Sequence, residues 1–333
     1  MDTSTRRDFL KQTAVGAALS ALAEDVLAQT STASGTGVPT RVLGRTGERV
    51  SILCLGGWHA GSVKDDAESI RLMQAALDEG LTFFDNSWDY HDGRSEELMG
   101  RALAEGGRRD KVFLMTKNCE RDYDGSMKCL EDSLRRLKTD RVDLWQFHEM
   151  CYDNDPDWVF EKGGIKAAMD ARKAGKVRFI GFTGHKDPRI HLKMLGKPFD
   201  WDASQMPINA LDAHYRSFQN EVVPVCLQKK VGIVGMKGFG GNGIIGKAGI
   251  TAAEAYRYAL SQPVSTQVVG LTSLDELKQA AAVARAFKPL TEPEKSALLA
   301  KVKDSAGDGR YELFKSTVTF DGAHHRKQHG FAV

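Results

Sequence analysis

The sequence predicts an α/β fold: one (β/α)8 TIM barrel, with a β-hairpin before it and an extra helix after it. Eight short apolar runs recur along the chain: SILCLGG, LTFFD, KVFLMTK, VDLWQFH, RFIGFTG, ASQMPIN, GIVGMKG and TQVVGL. Each is rich in β-branched or aromatic residues, as strands covered on both faces are. Helical stripes lie between them: Ile70, Met73 and Leu77; Met127, Leu130, Leu134 and Leu137; Leu274, Leu277, Ala281 and Ala284. Strands that alternate with helices make parallel βαβ units, and eight such units close a barrel. An open doubly wound sheet is the rival, but its glycine fingerprint belongs after the first strand. There the chain has GGWHAGS. A G-x-G-x-x-G spacing occurs only after the seventh run, at Gly241, Gly243 and Gly246. It reads as a mobile loop whose backbone can approach a phosphate closely.

Bulk properties narrow the function classes. The formal net charge is +2, from 46 basic and 44 acidic side chains, so neither nucleic acid nor an anionic membrane is an expected partner. No apolar run reaches the roughly 18 residues of a membrane span. Residues 1–28 differ from the rest: a basic start, the apolar stretch TAVGAALSALA, then small residues around Ala28. That is the layout of an export signal cut after Ala28, and the paired Arg6 and Arg7 before Phe9, Leu10 and Lys11 resemble a twin-arginine signal. Residues 29–39 then form a flexible leader, 40–290 the barrel, and 291–333 a capped helix (TEPEKSALLAKVKDSA) with a tail. Five cysteines at 54, 119, 129, 151 and 226 include no CxxC pair, so free thiols are expected. His324, His325 and His329 have no carboxylate or cysteine spaced with them. They read as a solvated tail, with a weak metal patch as the lesser alternative, and no metal is assigned to the site.

Asp85, Lys117 and His148 each close a strand run, and Tyr90 follows Asp85 by five residues. Active sites of such barrels lie at the carboxyl ends of the strands, so all four point to one mouth. A phenol, an ammonium, a carboxylate and an imidazole can protonate a carbonyl oxygen while a hydride reaches its carbon. Free tyrosine is a poor acid at neutral pH; Lys117 beside it should lower its pKa, with Asp85 fixing the lysine. His148 would orient the substrate oxygen or relay the proton. No side chain supplies hydride, so a nicotinamide must.

The segment GLTFFDNSWDYHDGRSEELMGRAL resembles the signature of the aldo-keto reductases, LKTDRVDLWQFHE resembles a second, and RVLGRTGERVSILCLGG resembles the family's N-terminal hairpin. The resemblance spans roughly residues 40 to 290. It implies Tyr90 as acid/base, Lys117 and Asp85 as its tuning pair, and His148 as the orienting group. It also implies a site for NADP(H) or NAD(H). Thr183 stands where the family's carboxamide-binding serine would be; Gly184 offers no side chain and His185 is the next candidate. Gln205 matches the family's glutamine, and Met236 replaces its stacking tyrosine. Lys237 could reach the pyrophosphate or the substrate, Gly238, Gly240 and Gly241 belong to the loop that can approach a phosphate, and Gly270, Thr272, Ser273 and Glu276 align with the 2′-phosphate loop. Glu276 would repel a 2′-phosphate and accept from a ribose hydroxyl, so the preference between the two cofactors stays open.

Trp58, His59, Trp88, His91, Tyr152 and Trp158 fall in loops at the mouth. Trp58 and Trp88, with His148, are the expected substrate contacts, for a sugar or another small carbonyl compound. The twin-arginine machinery is the expected export partner and the periplasm the expected location, with the cytoplasm as alternative if the signal is unused. Two further readings compete: a self-recycling oxidoreductase that keeps one nicotinamide bound, and an accessory or regulatory subunit with little turnover.

Overall fold

The structure, a computed structural model, describes residues 18–31, 37–245 and 248–333. Arg6, Arg7 and Gly246 lie outside the described residues. Residues 18–28 form a helix. Of the stretch read as a flexible leader, residues 29–31 are tied to the hairpin: Ser31 bridges Thr40, and Gln29 O accepts from Arg49 Nη2 at 2.8 Å. No helix among the described residues is long and apolar enough to cross a membrane.

An antiparallel hairpin, β1 (Thr40–Val42) and β2 (Arg49–Ser51), precedes the barrel. The barrel strands are β3 (Leu53–Gly56), β4 (Phe83–Asp85), β5 (Phe113–Asn118), β6 (Val142–Phe147), β7 (Val177–Thr183), β8 (Ala203–Pro207), β9 (Gly232–Met236) and β10 (Thr266–Val269). They are parallel and close on themselves in the order β10-β3-β4-β5-β6-β7-β8-β9. All eight apolar runs are therefore barrel strands, and no glycine fingerprint was needed after the first. Gly57, opening GGWHAGS, serves close packing instead: an added Cβ would lie 2.5 Å from Asp85 O and 2.9 Å from Asn86 Cγ.

The hairpin plugs the amino end. Leu43 and Val50 pack with Cys54, Phe83, Phe113, Met115, Leu144, Ala203 and Val234. Arg41 is buried there, but its guanidinium donates to Val264 O at 2.8 Å and Leu260 O at 2.9 Å, so the charge is not left bare. The helix stripes face the sheath: Met73, Leu130, Leu134, Leu137, Leu277, Ala281 and Ala284 are all buried. The helix Glu292–Ala306 starts with a capping box between Thr291 and Glu294, which satisfies donors at both residues. All five cysteines are free and buried.

The tail is not solvated. Residues 307–333 fold back over the carboxyl end of the barrel, with short helices at Leu313–Ser316 and Ala323–Gln328. Phe314, Lys315 and His325 are fully buried. Lys315 Nζ anchors the tail, reaching Asp212 at 2.6 Å and Glu312 at 2.9 Å.

Candidate active site

Lys117 is the hub of the mouth. Fixed by the β5–β6 register, in which it faces Gln146, it is 1% exposed. Its three N–H bonds find three acceptors: Asp85 Oδ1, the backbone oxygen of Asn86 at 2.7 Å, and the Tyr90 hydroxyl at 3.1 Å. Asp85 is held in turn, because its Oδ2 accepts from Gln205 Nε2 at 3.3 Å. Tyr90 opens a 3₁₀ turn in which His91 and Asp92 are both left-handed, at φ 52 and 54. Two adjacent non-glycine residues in that region store strain, which the surrounding contacts must offset. The turn sets the phenol against the lysine.

One sequence expectation is corrected here. Burial first, then the carboxylates of Asp85, Asp89 and Glu149, push the Tyr90 phenol well above its usual range. The ammonium does not prevail, since Asp85 neutralises it at contact distance. The phenol therefore stands protonated at neutral pH, a donor with its proton in place.

The ring of His148, next after β6, is held through Nδ1 in its contacts among the described residues. That atom lies 3.0 Å from Ser87 Oγ, 3.2 Å from Asp89 Oδ1 and 3.5 Å from Cys119 Sγ. Ser87 Oγ donates to Asp89 Oδ1 at 2.6 Å, which leaves it to accept from His148. Burial lowers the histidine's pKa, against the pull of Asp89, so the ring is neutral at pH 7. Glu149 was not legible as a site residue. It is left-handed at φ 47, accepts from Gly322 N at 2.9 Å, and is pushed up to about 8 by burial and by Asp89.

The remaining expected residues divide into two groups. Thr183 and Gln205 are register partners across β7 and β8. Met236 ends β9; Lys237 is left-handed at φ 54, with its ammonium 5.0 Å above the Phe320 ring. Beside Gly238 lies the buried Gln267 amide, whose two polar atoms have no partner among the described residues. Gly240 and Gly241 are left-handed at φ 58 and 60, and an added Cβ at Gly240 would lie 2.7 Å from Ile244 Cγ1. Gly270 has no room for a Cβ against the His59 ring. Ser273 caps the helix Leu274–Arg285, and Glu276 Oε2 accepts from Thr272 N at 2.7 Å. Unpaired polar atoms, a left-handed glycine loop and a helix amino terminus on one rim fit a nicotinamide dinucleotide.

His185 and Trp88 do not join them. His185 Nε2 is engaged by Asp321 Oδ1 at 3.0 Å and packed on Cys151 under the tail, so that nitrogen is not free to grip a carboxamide. Trp88 turns outward: its indole N–H donates to Asp132 at 3.2 Å, and Arg136 lies over its ring. Other loop aromatics seat the tail. Trp158 stacks on His329 at 4.8 Å, and Tyr152 donates to Asp321 at 2.8 Å. Trp58 remains at the mouth, 49% exposed, with its ring 5.3 Å from that of Tyr90.

Comparison with known proteins agrees with this geometry. The chain matches the Aldo/keto reductase family over residues 52–253. It is 32% identical over 229 residues to the uncharacterized oxidoreductase YrpG of Bacillus subtilis, covering 62% of this chain and 68% of that one. To the 6-dehydroglucose reductase of Novosphingobium aromaticivorans it is 33% identical over 166 residues, 45% of this chain and 53% of the relative. The solved aldo-keto reductase AKR11C1 from Bacillus halodurans, in its holo form, superposes with a TM-score of 0.68 at 24% identity. That match covers 82% of this chain and 99% of AKR11C1, and shares the fold. The chain belongs to the aldo/keto reductase family, oxidoreductases that use NADP(H) or NAD(H) to interconvert carbonyls and alcohols.

Proposed function

We propose that Tyr90 is the proton donor to a substrate carbonyl, a sugar or a similar small polar molecule. The observation that carries this is the Lys117 ammonium, held at once by Asp85 and, at 3.1 Å, by the Tyr90 hydroxyl. When bound, the nicotinamide supplies the hydride. As negative charge grows on the substrate oxygen, Tyr90 gives up its proton, and Lys117 stabilises the phenolate left behind. Asp85 holds the lysine in place. His148, whose Nδ1 donates to Ser87, offers Nε2 as an acceptor and orients the substrate through the hydroxyl of the alcohol or one beside the carbonyl. Trp58 offers an exposed ring beside the phenol, suited to the apolar face of a sugar; the name of the Novosphingobium relative points the same way. Tyr90→Phe should lower turnover by about 10²- to 10⁴-fold, with nucleotide affinity and thermal stability nearly unchanged. A fall of less than roughly threefold would remove Tyr90 from the chemistry.

A second reading concerns location and cofactor exchange. We propose that residues 1–28, through Arg6 and Arg7, direct export of the folded chain to the periplasm, and that the nicotinamide stays bound there to shuttle hydride between two substrates. What favours retention is the tail's seat on the loop after β9: Phe320 would lie 3.3 Å from a Cβ at Gly241, and Phe314 would lie 3.5 Å away. A clasped loop slows dissociation, the rate through which affinity is usually set. Protein purified without added nucleotide should release a nicotinamide dinucleotide on denaturation. Gly241→Pro, which cannot take φ 60, should free it beforehand. Wild-type protein that arrives empty and exchanges nucleotide within milliseconds would overturn retention.

A further inference from the structure

Behind His148 four side chains converge for which carbonyl reduction has no use as a group. Asp89, Cys119, His148 and His325 each offer one donor atom, and the four atoms lie within 4.8 Å of one another. They come from the loop after β4, the ends of β5 and β6, and the tail helix Ala323–Gln328. His148 Nδ1 is 3.2 Å from Asp89 Oδ1 and 3.5 Å from Cys119 Sγ. Tetrahedral zinc, with Zn–N and Zn–O near 2.1 Å and Zn–S near 2.3 Å, sets N···O about 3.4 Å and N···S about 3.6 Å apart. Two edges of a coordination tetrahedron therefore already have their length.

His325 is the independent sign. It is fully buried and stands edge-on to His148, with ring centroids 5.1 Å apart. Neither of its ring nitrogens has a hydrogen-bond partner among the described residues. A buried imidazole with both nitrogens unpaired is costly unless something occupies one. Nor is it the residue that anchors the tail. Gly322 N donates to Glu149 Oε2 at 2.9 Å, and Gln328 Nε2 donates to Cys119 O at 2.9 Å and Glu120 Oε2 at 2.8 Å.

We propose that Asp89, Cys119, His148 and His325 form a site for a divalent, borderline-soft metal ion of the zinc class, which locks the tail onto the barrel. One thiolate, one carboxylate and two neutral imidazoles carry two negative charges, matching the ion. Loading exchanges the Cys119 thiol proton for the metal and releases that proton to solvent, with no change of oxidation state. The ion takes Nδ1 of His148, so the ring's proton moves to Nε2, and the atom left for substrate becomes a donor. A second group, Cys151, His185 and Asp321, also has its ligand atoms within 4.8 Å. Asp321 there is already committed to Lys186 at 2.7 Å and to Tyr152 at 2.8 Å, so it serves as the control. This inference stands apart from the proton-donor role of Tyr90.

The test is a cobalt titration of the full chain, stripped with chelator and dialysed, followed by absorption. One equivalent of Co²⁺ should give tetrahedral visible bands and a thiolate-to-cobalt charge-transfer band, both abolished by one equivalent of Zn²⁺. Cys119→Ser should remove the charge-transfer band. Removing even outer-shell partners of a metal typically costs about 10- to 100-fold in affinity, so His325→Ala should weaken Co²⁺ binding at least that much. Cys151→Ser should change neither. Wild-type protein without the thiolate band, as when tail histidines alone hold the ion, would overturn the site. So would unchanged affinity in His325→Ala, or a band lost in Cys151→Ser and kept in Cys119→Ser.

Discussion

The two ends of the barrel bury their side chains under opposite conditions. At the amino end the hairpin residues Leu43 and Val50 meet Phe83, Phe113 and Met115 in an apolar plug. Each side chain there gains by leaving water, at roughly 25 cal/mol per Å² of apolar surface. At the carboxyl end Asp85, Lys117, His148 and Glu149 are buried to a similar degree. There burial costs free energy: the Asp85–Lys117 pair stands because each charge lies against the other, while burial keeps His148 neutral and pushes Glu149 up to about 8. The plug can hold the fold in register and accept changes of shape among similar side chains. The mouth is bound together by specific pairs, so one substitution there changes charge states as well as contacts. Tyr90 illustrates this: burial raises its pKa although an ammonium lies 3.1 Å away, and the surplus of nearby carboxylates is part of the reason.

A matched pair of substitutions separates the two ends, and gives the largest expected effects. Lys117→Met leaves the Asp85 carboxylate buried without its counter-charge, a loss of about 3–5 kcal/mol. Phe83→Ala opens a cavity in the plug for a similar loss, about 3–5 kcal/mol. Urea denaturation should thus find the two variants comparably destabilised. Turnover should not match. Lys117→Met should lose about 10²-fold or more, and any surviving activity should show a displaced pH profile. Phe83→Ala, assayed where it is folded, should keep its turnover within a few-fold. Equal losses of turnover in the two would show that the mouth depends on the barrel's rigidity and not on the lysine's charge.

The same contrast explains what the sequence made legible. The eight strands were readable because a strand buried on both faces must be apolar along its whole length, and runs such as LTFFD and VDLWQFH have no other use. Asp85, Lys117 and His148 stood out as polar residues closing such runs. Glu149, Asp89 and His325 did not, because their roles depend on groups far along the chain: Glu149 binds Gly322, 173 residues later. The tie of His185 Nε2 to Asp321 was hidden for the same reason, as Asp321 lies 136 residues on. The tail read as solvated because its histidines have no carboxylate or cysteine spaced with them along the chain; only the fold shows that it closes over Tyr152 and Trp158. The tyrosine's acidity was misjudged because a sequence shows the lysine but not the number of carboxylates packed around it.

The rim lies between these extremes and should respond most gently. Glu276 is exposed, and its carboxylate accepts from Thr272 N at 2.7 Å and Thr272 Oγ1 at 3.0 Å at the start of the helix Leu274–Arg285. It belongs to neither the plug nor the buried pairs, so replacing it should cost only the helix cap and its favourable charge, about 1 kcal/mol. If the loop after β10 holds the dinucleotide's adenosine end, the Glu276 charge faces that end. A carboxylate there repels a 2′-phosphate, and an arginine attracts one, each through water and screened by salt. Glu276→Arg should therefore tighten NADP relative to NAD by about fivefold at low ionic strength, and by less as salt is added. Paired affinity measurements at two salt concentrations check both the ratio and its decline. A ratio that does not move would place the phosphate-reading residues elsewhere on the rim, and His59, packed against Gly270 with Lys237 and Glu276 as its charged neighbours, would be the next to replace.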